Sequence, residues 1–283
     1  MFLSNRSHPQ NGGHFPDSVD DLQKIPDRRV IGFSRPIRLG DGNRSYIFKK
    51  SNPSDGFDLA RSEVVADNFY RAMGVPVPPS RFYTKGKRRG RVSEFVDGSQ
   101  RLFDWMRTAS PEEKEAMRRK IARHVHVDCL LGNADLHGAN IVVDRHGTPY
   151  RVDNGMAFST NPWNDLSDLG EGVTHPGMSQ YWFDGNPIYS GRNRLANLLR
   201  KIRDTDWTPG LKAIPLEQQR FIKKRLDMVS KAADYVDDLV RQGYDRGTVQ
   251  RLLYKLVGPS KEQRKVMADE FREHIERQRR NGR

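Results

Sequence analysis

Between Val30 and Val96 short β-type runs alternate with turns: VIGF, RPIRLG, SYIFKK, SRFYTKG and RVSEFV. One helical segment, DLARSEVVADNFYRAMG, interrupts them. The pattern predicts a small antiparallel sheet with one helix. PSRFYTKGKRRGRVSEFV reads as a hairpin with its tip at Lys85 to Arg91, where Gly86 and Gly90 supply turn geometry between two β-rich arms. After Gly98 the pattern becomes helical. Pro111 and Glu113 after Ser110 form a capped start, and Met117, Ile121, Val125 and Cys129 recur every four residues, so a helix should run to about Leu131. Its apolar stripe ends directly at GNADLH. A second long helix is expected at 216–242, where Ile222, Leu226, Val229, Ala233, Val236 and Val240 precede Gly243, with further helices near 247–257 and 261–279. Residues 1–28 are rich in Asn, Gly, Pro, Asp and Ser and read as an accessory arm. The expected class is therefore α+β: the arm at 1–28, a β-rich part at 29–97 and an α-helical part at 98–283.

Composition narrows the classes. Of 283 residues, 35% are apolar, enough for a buried core, so a wholly disordered chain is excluded. Lys and Arg (49) outnumber Asp and Glu (36), giving +13, which attracts phosphates and acidic partners over long range. Cys129 stands alone, which excludes an internal disulfide and fits a reducing compartment; it reads as a buried helix residue. No apolar run approaches the roughly 18 residues of a membrane span, and the N-terminus lacks the apolar core of a signal peptide, so a cytoplasmic protein is expected, with export by a route that reads no cleaved signal left open.

The chemistry concentrates in LGNADLHGANIVVDRHGTPYRVDNGMAF, Leu131 to Phe158. An Asp, an Asn five residues later and an Asp-Asn-Gly thirteen residues after that are the spacing of a phosphotransferase site. Such a site needs one carboxylate beside the attacking hydroxyl, and a second carboxylate plus an amide oxygen to hold magnesium on the phosphates. Asp135, Asp153 and Asn140 fit those roles. Two strands joined at His146-Gly147 would bring Asn140 and Asp153 together at one sheet edge. His137 reads equally as a support of the loop or as a catalytic group, and Gly132 and Asn133 shape the turn, glycine allowing a positive φ.

A second constellation lies in the β-rich part. In SYIFKKS, Ile47 and Lys49 share one face while Tyr46, Phe48 and Lys50 share the other. Lys49 is the preferred phosphate lysine, since Ile47 would then cover the base; Lys50 is the alternative. Leu59, Glu63, Ala66, Tyr70 and Met73 form one helical stripe, and an acid amid apolar residues needs a partner, for which Lys49 is the natural choice. The opposing reading of Glu63 is an edge residue that reaches water. Gly40 and Gly42 flank Asp41 in either a phosphate-facing turn or an ordinary hairpin turn. Backbone groups of Glu94 and Val96, where the composition shifts, could bond an adenine edge.

The run VDCLLGNADLHGANIVVD…YRVDNGMAF resembles the HipA-like and phosphoinositide-kinase-like branch of the protein-kinase-like fold. FKKS, SEVVADNFYRAMGVPVPPSRFY and SEFVDG match that branch in the order of nucleotide lysine, helix glutamate, strand and hinge. The resemblance covers roughly residues 30 to 160. It implies a two-lobed fold, MgATP in the cleft, Lys49 paired with Glu63, Asp135 as catalytic base, and Asn140 and Asp153 as metal ligands. Leu136 departs from the Arg of many relatives and resembles aminoglycoside and choline kinase-like loops, and the metal motif lacks a Phe. The expected activity is transfer of the ATP γ-phosphate to a Ser or Thr of a protein. Small-molecule or lipid phosphorylation, AMP transfer and a nucleotide-binding pseudokinase are the alternatives on the same core. A basic module binding nucleic acid through Lys85, Lys87, Arg88, Arg89, Arg91 and the C-terminal arginines is disfavoured, because no helix-turn-helix, zinc or stacking motif accompanies the charge.

Overall fold

The computed structural model describes residues 15–16, 18–26, 36–51, 58–84, 89–133, 138–158, 194–245, 248–249 and 252. Five strands make an antiparallel sheet in the order β1-β2-β3-β5-β4: β1 (Gln23–Ile25), β2 (Ile37–Gly40), β3 (Ser45–Lys50), β4 (Ser80–Tyr83) and β5 (Gly90–Glu94). Helix α1 (Leu59–Ala72) lies between β3 and β4 in the chain, opened by the Asp58 side chain, which accepts from the backbone amides of Ala60 and Arg61.

The alternation along β3 gives the sheet two chemically different faces. On one, Tyr46 and Phe48 pack with Leu39, Tyr83 and Val92, and Val19 and Leu22 cover them. Burying each large apolar side chain contributes on the order of 1.5–3 kcal/mol. On the other face Lys49 and Arg91 stand directly opposite each other in the β3–β5 register. That face meets α1.

Two expectations need correcting here. The arm reading of 1–28 overlooks Val19 and Leu22, which are buried, and Gln23–Ile25, which pair with β2; sparse apolar residues suffice when each covers a sheet. Residues 1–14 lie outside the described residues. Arg91 does not belong to a hairpin tip: β4 and β5 pair as expected, but Arg91 is inside β5 and 2% exposed. Gly90 is likewise a strand residue, and a Cβ there would stand 2.0 Å from the Lys49 carbonyl oxygen, so glycine serves close strand approach in place of a turn. Residues 85–88 are outside the described residues.

A second sheet, β6 (Gln100–Arg101), β7 (Ile141–Val143) and β8 (Pro149–Arg151), follows in the order β6-β7-β8. Its β7–β8 turn is fastened by the Asp144 carboxylate, which accepts from the amides of His146 and Thr148 at 2.8 Å each. Between β6 and β7 lie α2 (Leu102–Thr108), α3 (Pro111–Ala122) and α4 (Val125–Leu131). The capping box at Ser110 and Glu113 is present. The single helix expected from Ser110 to Leu131 is broken at Arg123-His124, although Met117, Ile121 and Val125 are all buried. The buried Arg151 donates both to the Ile121 carbonyl at the break and to the Asp128 carboxylate, at 3.1 Å each, fixing α4 as a separate segment. Cys129 on α4 is half-buried.

Beyond Phe158 the described elements are α5 (Arg194–Asp204), α6 (Thr208–Lys212) and α7 (Leu216–Arg241). The chain divides into two compact units, one of Met1–Phe158 with Asp206–Gln219 and one of Ser159–Thr205 with Arg220–Arg283. In the first, α6 lies against α1: Trp207 stacks on Phe69 with ring centroids 6.1 Å apart, and a Cβ on Gly210 would come 2.7 Å from the Phe69 ring. In the second, Leu198, Leu199 and Ile202 of α5 and Ile222, Val229, Ala233 and Val236 of α7 are buried. Arg203 bonds Asp234 at 2.9 Å there, and Arg200 pairs with Asp237. The helix expected at 216–242 is observed, closed at Gly243; the helices expected near 247–257 and 261–279 lie almost wholly outside the described residues. No described helix is long and apolar enough to cross a membrane.

Candidate active site

Lys49 sits at the centre of a buried charge cluster built by three elements. Its Nζ lies 2.9 Å from both carboxylate oxygens of Glu63 on α1 and 2.7 Å from Asp153 Oδ1, just after β8. Glu63 is 1% exposed, so the edge-residue reading does not hold. Lys50, the alternative lysine, is exposed on the other face. Arg91 adds a second cation, with its NH1 3.2 Å from Glu63 Oε1 and its Nε and NH2 on Asp67 Oδ2 at 3.1 and 2.7 Å. Glu63 and Asp67 are four residues apart and share one helix face, while Lys49 and Arg91 are register partners. Two acids one turn apart thus meet two cations one strand apart.

Burial pushes the Glu63 carboxyl above its ordinary value, and Arg91 and Lys49 pull it back. For Arg91 the largest influence, burial, works against its charge; the Asp67 and Glu63 carboxylates outweigh it and hold its pKa above the ordinary arginine value. The sequence marks Asp67 for no role, and Arg91 only as part of a basic run. The four-residue spacing of Glu63 and Asp67 on a buried stripe was the available signal.

The β7–β8 pair brings the two expected metal ligands to adjoining positions. Ile141 pairs with Arg151, and the Val152 amide donates to the Asn140 carbonyl at 2.9 Å, so Asp153 follows the residue opposite Asn140. Asp153 adopts a left-handed backbone, φ 60°, a strained conformation for a residue with a Cβ, and its side chain is 36% exposed. One carboxylate and one amide oxygen are hard donors. No group of three or more His, Cys, Asp or Glu that could hold a metal occurs among the described residues.

Gly132 ends α4 in a left-handed conformation, φ 61°, and Asn133 follows it, buried. Asp135 and His137 lie in 134–137, outside the described residues. Gly40 ends β2, paired with Ser45, and Gly42 lies in the following turn, whose Asn43 and Arg44 amides donate to Asp41 Oδ1 at 3.0 and 2.8 Å. Those two amides are engaged by the Asp41 carboxylate. At the end of β5 the Glu94 amide donates to the Pro79 carbonyl at 2.9 Å, and the Val96 carbonyl accepts from Ser99 at 3.2 Å.

No family model matches the chain, and no curated protein does. Among solved structures the chain is similar to the Helicobacter pylori proinflammatory kinase CtkA, with 11% identity and a TM-score of 0.42, covering 75% of this chain and 96% of that one. It is also similar to the MAP kinase LmaMPK10 from Leishmania major, with 13% identity and a TM-score of 0.32, covering 67% of this chain and 61% of that one. The β-rich part with a single helix, followed by a helical part, gives the chain an α+β architecture.

Proposed function

We propose that the chain is an ATP-dependent phosphotransferase that moves the γ-phosphoryl group to a hydroxyl, a Ser or Thr of a protein. The observation that carries this reading is the meeting of Lys49, Glu63 and Asp153 through hydrogen bonds of 2.7–2.9 Å, although they stand 14 and 104 positions apart in the chain from Lys49. Phosphoryl transfer needs a fixed cation beside a metal-binding carboxylate, because its catalysis is mostly positioning and charge neutralisation. Glu63 holds Lys49 toward the phosphates. Asn140 and Asp153 would hold magnesium, which neutralises phosphate charge when bound. Asp135 would take the proton of the acceptor hydroxyl as its oxygen bonds to the γ-phosphorus; the bond from that phosphorus to the bridging oxygen breaks, and ADP leaves with the electron pair. His137 would support this loop or aid the proton transfer, and backbone groups of Glu94 and Val96 would bond the adenine edge. The protein acceptor rests on the resemblance to the HipA-like branch.

The test incubates purified chain with magnesium and ATP labelled at the γ- or α-phosphate, a generic protein acceptor, and the Asp135→Ala variant. Label from the γ-position alone, lost in Asp135→Ala, is the expected result. Label from the α-position means nucleotidyl transfer and overturns the reading, as does full activity in Asp135→Ala.

A further inference from the structure

The residue after Asp153 is a fully buried asparagine whose two side-chain atoms point in opposite directions. Asn154 Nδ2 donates to Asp67 Oδ1 at 2.9 Å, and its Oδ1 accepts from Asn133 Nδ2 at 3.2 Å. Because a carboxylate only accepts, Asp67 fixes which end of the amide faces which neighbour. Asp67, also fully buried, is held by Arg91 and by Ser80 Oγ, which donates to Oδ2 at 2.5 Å. Asn133 donates to the Tyr70 hydroxyl on α1 at 3.3 Å and stands two residues before Asp135. A second bond, Ser62 Oγ to the Ala157 carbonyl at 2.8 Å, fastens the other end of the same loop to α1.

We propose that Asp67 is a positioning residue for the metal carboxylate Asp153, acting through Asn154, and that the chain Arg91–Asp67–Asn154–Asn133 ties the loop carrying that carboxylate to α1 and to the end of α4. This rests on the phosphotransferase reading above. The strained backbone of Asp153 needs its neighbours to hold it, and Asn154 supplies the adjoining side chain with both polar atoms engaged. Groups that orient metal ligands in this way commonly change metal affinity or activity by about 10- to 100-fold when altered.

The directionality provides the test. Asn154→Asp sets two carboxylates against each other; Asp67→Asn turns one amide NH2 toward another. The double variant exchanges amide and carboxylate across the same contact: Asn at 67 donates to Asp at 154 and still accepts from Arg91, Asp at 154 still accepts from Asn133, and the cluster's charge is unchanged.

Binding of a fluorescent ADP would be measured on the full chain and the three variants, with Mn2+ and in EDTA, beside the melting temperature of each. The expected result is a loss of about tenfold or more in Mn2+-dependent affinity for Asn154→Asp, with binding in EDTA unchanged, and recovery in the double variant. If Asn154→Asp does not fold, Asp67→Asn and the double variant are compared by the same criteria. A double variant that folds and binds no better than the single variants overturns the proposal. So does an equal loss with Mn2+ and in EDTA, which marks a merely structural role. Wild-type chain that binds no nucleotide in Mn2+ overturns the phosphotransferase reading as well; wild-type binding matched by every variant overturns this inference alone.

Discussion

Replacing Arg91 with Met removes a cation that is almost wholly inaccessible and leaves two buried carboxylates with less compensation. Its guanidinium makes two hydrogen bonds to Asp67 and one to Ser93, and an ion pair with Glu63 at 3.2 Å. Met approximates the length of the side chain, so little cavity is created and the effect is chiefly electrostatic. Breaking one partner out of a buried pair costs about 3–5 kcal/mol. For a chain of this size that corresponds to a fall of roughly 6–20 °C in melting temperature. The assay is urea unfolding followed by circular dichroism between about pH 4.5 and 7.5. Burial already raises Glu63, so its contribution is fully present below the unfolded carboxyl value and is lost as pH rises through the folded one. Removing Arg91 removes a charge that lowers that value, so the deficit of the variant grows with pH. A deficit below about 1 kcal/mol at neutral pH, or one independent of pH, refutes the reasoning.

Three further outcomes are expected. Arg151→Met strips the buried Asp128 carboxylate of its partner at 3.1 Å and costs about 3–5 kcal/mol in denaturant unfolding, whereas Arg241→Met, on an exposed pair, changes stability by under about 1 kcal/mol. Burial, then the nearby Asp128 charge, holds the Tyr70 hydroxyl well above its ordinary value, so the stability it contributes is present below about pH 10 and lost as pH rises further; Tyr70→Phe should flatten the alkaline limb of a melting-temperature profile. Ser110→Ala removes the cap whose oxygen accepts from the Glu113 amide at 3.2 Å and should cost about 1 kcal/mol by the same unfolding measurement.

What the sequence made legible follows from periodicity. Strand parity places Lys49 on one face of β3, and the helical stripe places Glu63 inside, so their approach is readable from the sequence. Arg91 was hidden because KGKRRGR reads as one solvated run, and only the β3–β5 register shows its fifth basic residue, Arg91, opposite Lys49. Asn154 was passed over for its neighbour Asp153, since nothing local marks an amide that bridges positions 67 and 133. The break between α3 and α4 left no trace in a stripe that keeps its four-residue step; its cause, Arg151, arrives thirty residues later from β8. Helix α5 is marked only by Leu195, Leu198, Leu199 and Ile202 at helical spacing, behind a glycine-rich stretch that offers no start signal.

The charge cluster also sets an order of assembly on the growing chain. Lys49, Glu63, Asp67 and Arg91 come from a stretch of 43 residues, so the sheet and α1 can neutralise one another while Asp153 and Asn154 are still to be synthesised. Contacts between distant positions close later and more slowly than local ones. A truncated product ending before Asp153 should therefore retain a charge-balanced sheet and helix yet lack the loop that docks on them, so the site closes only after its cations and acids have already paired.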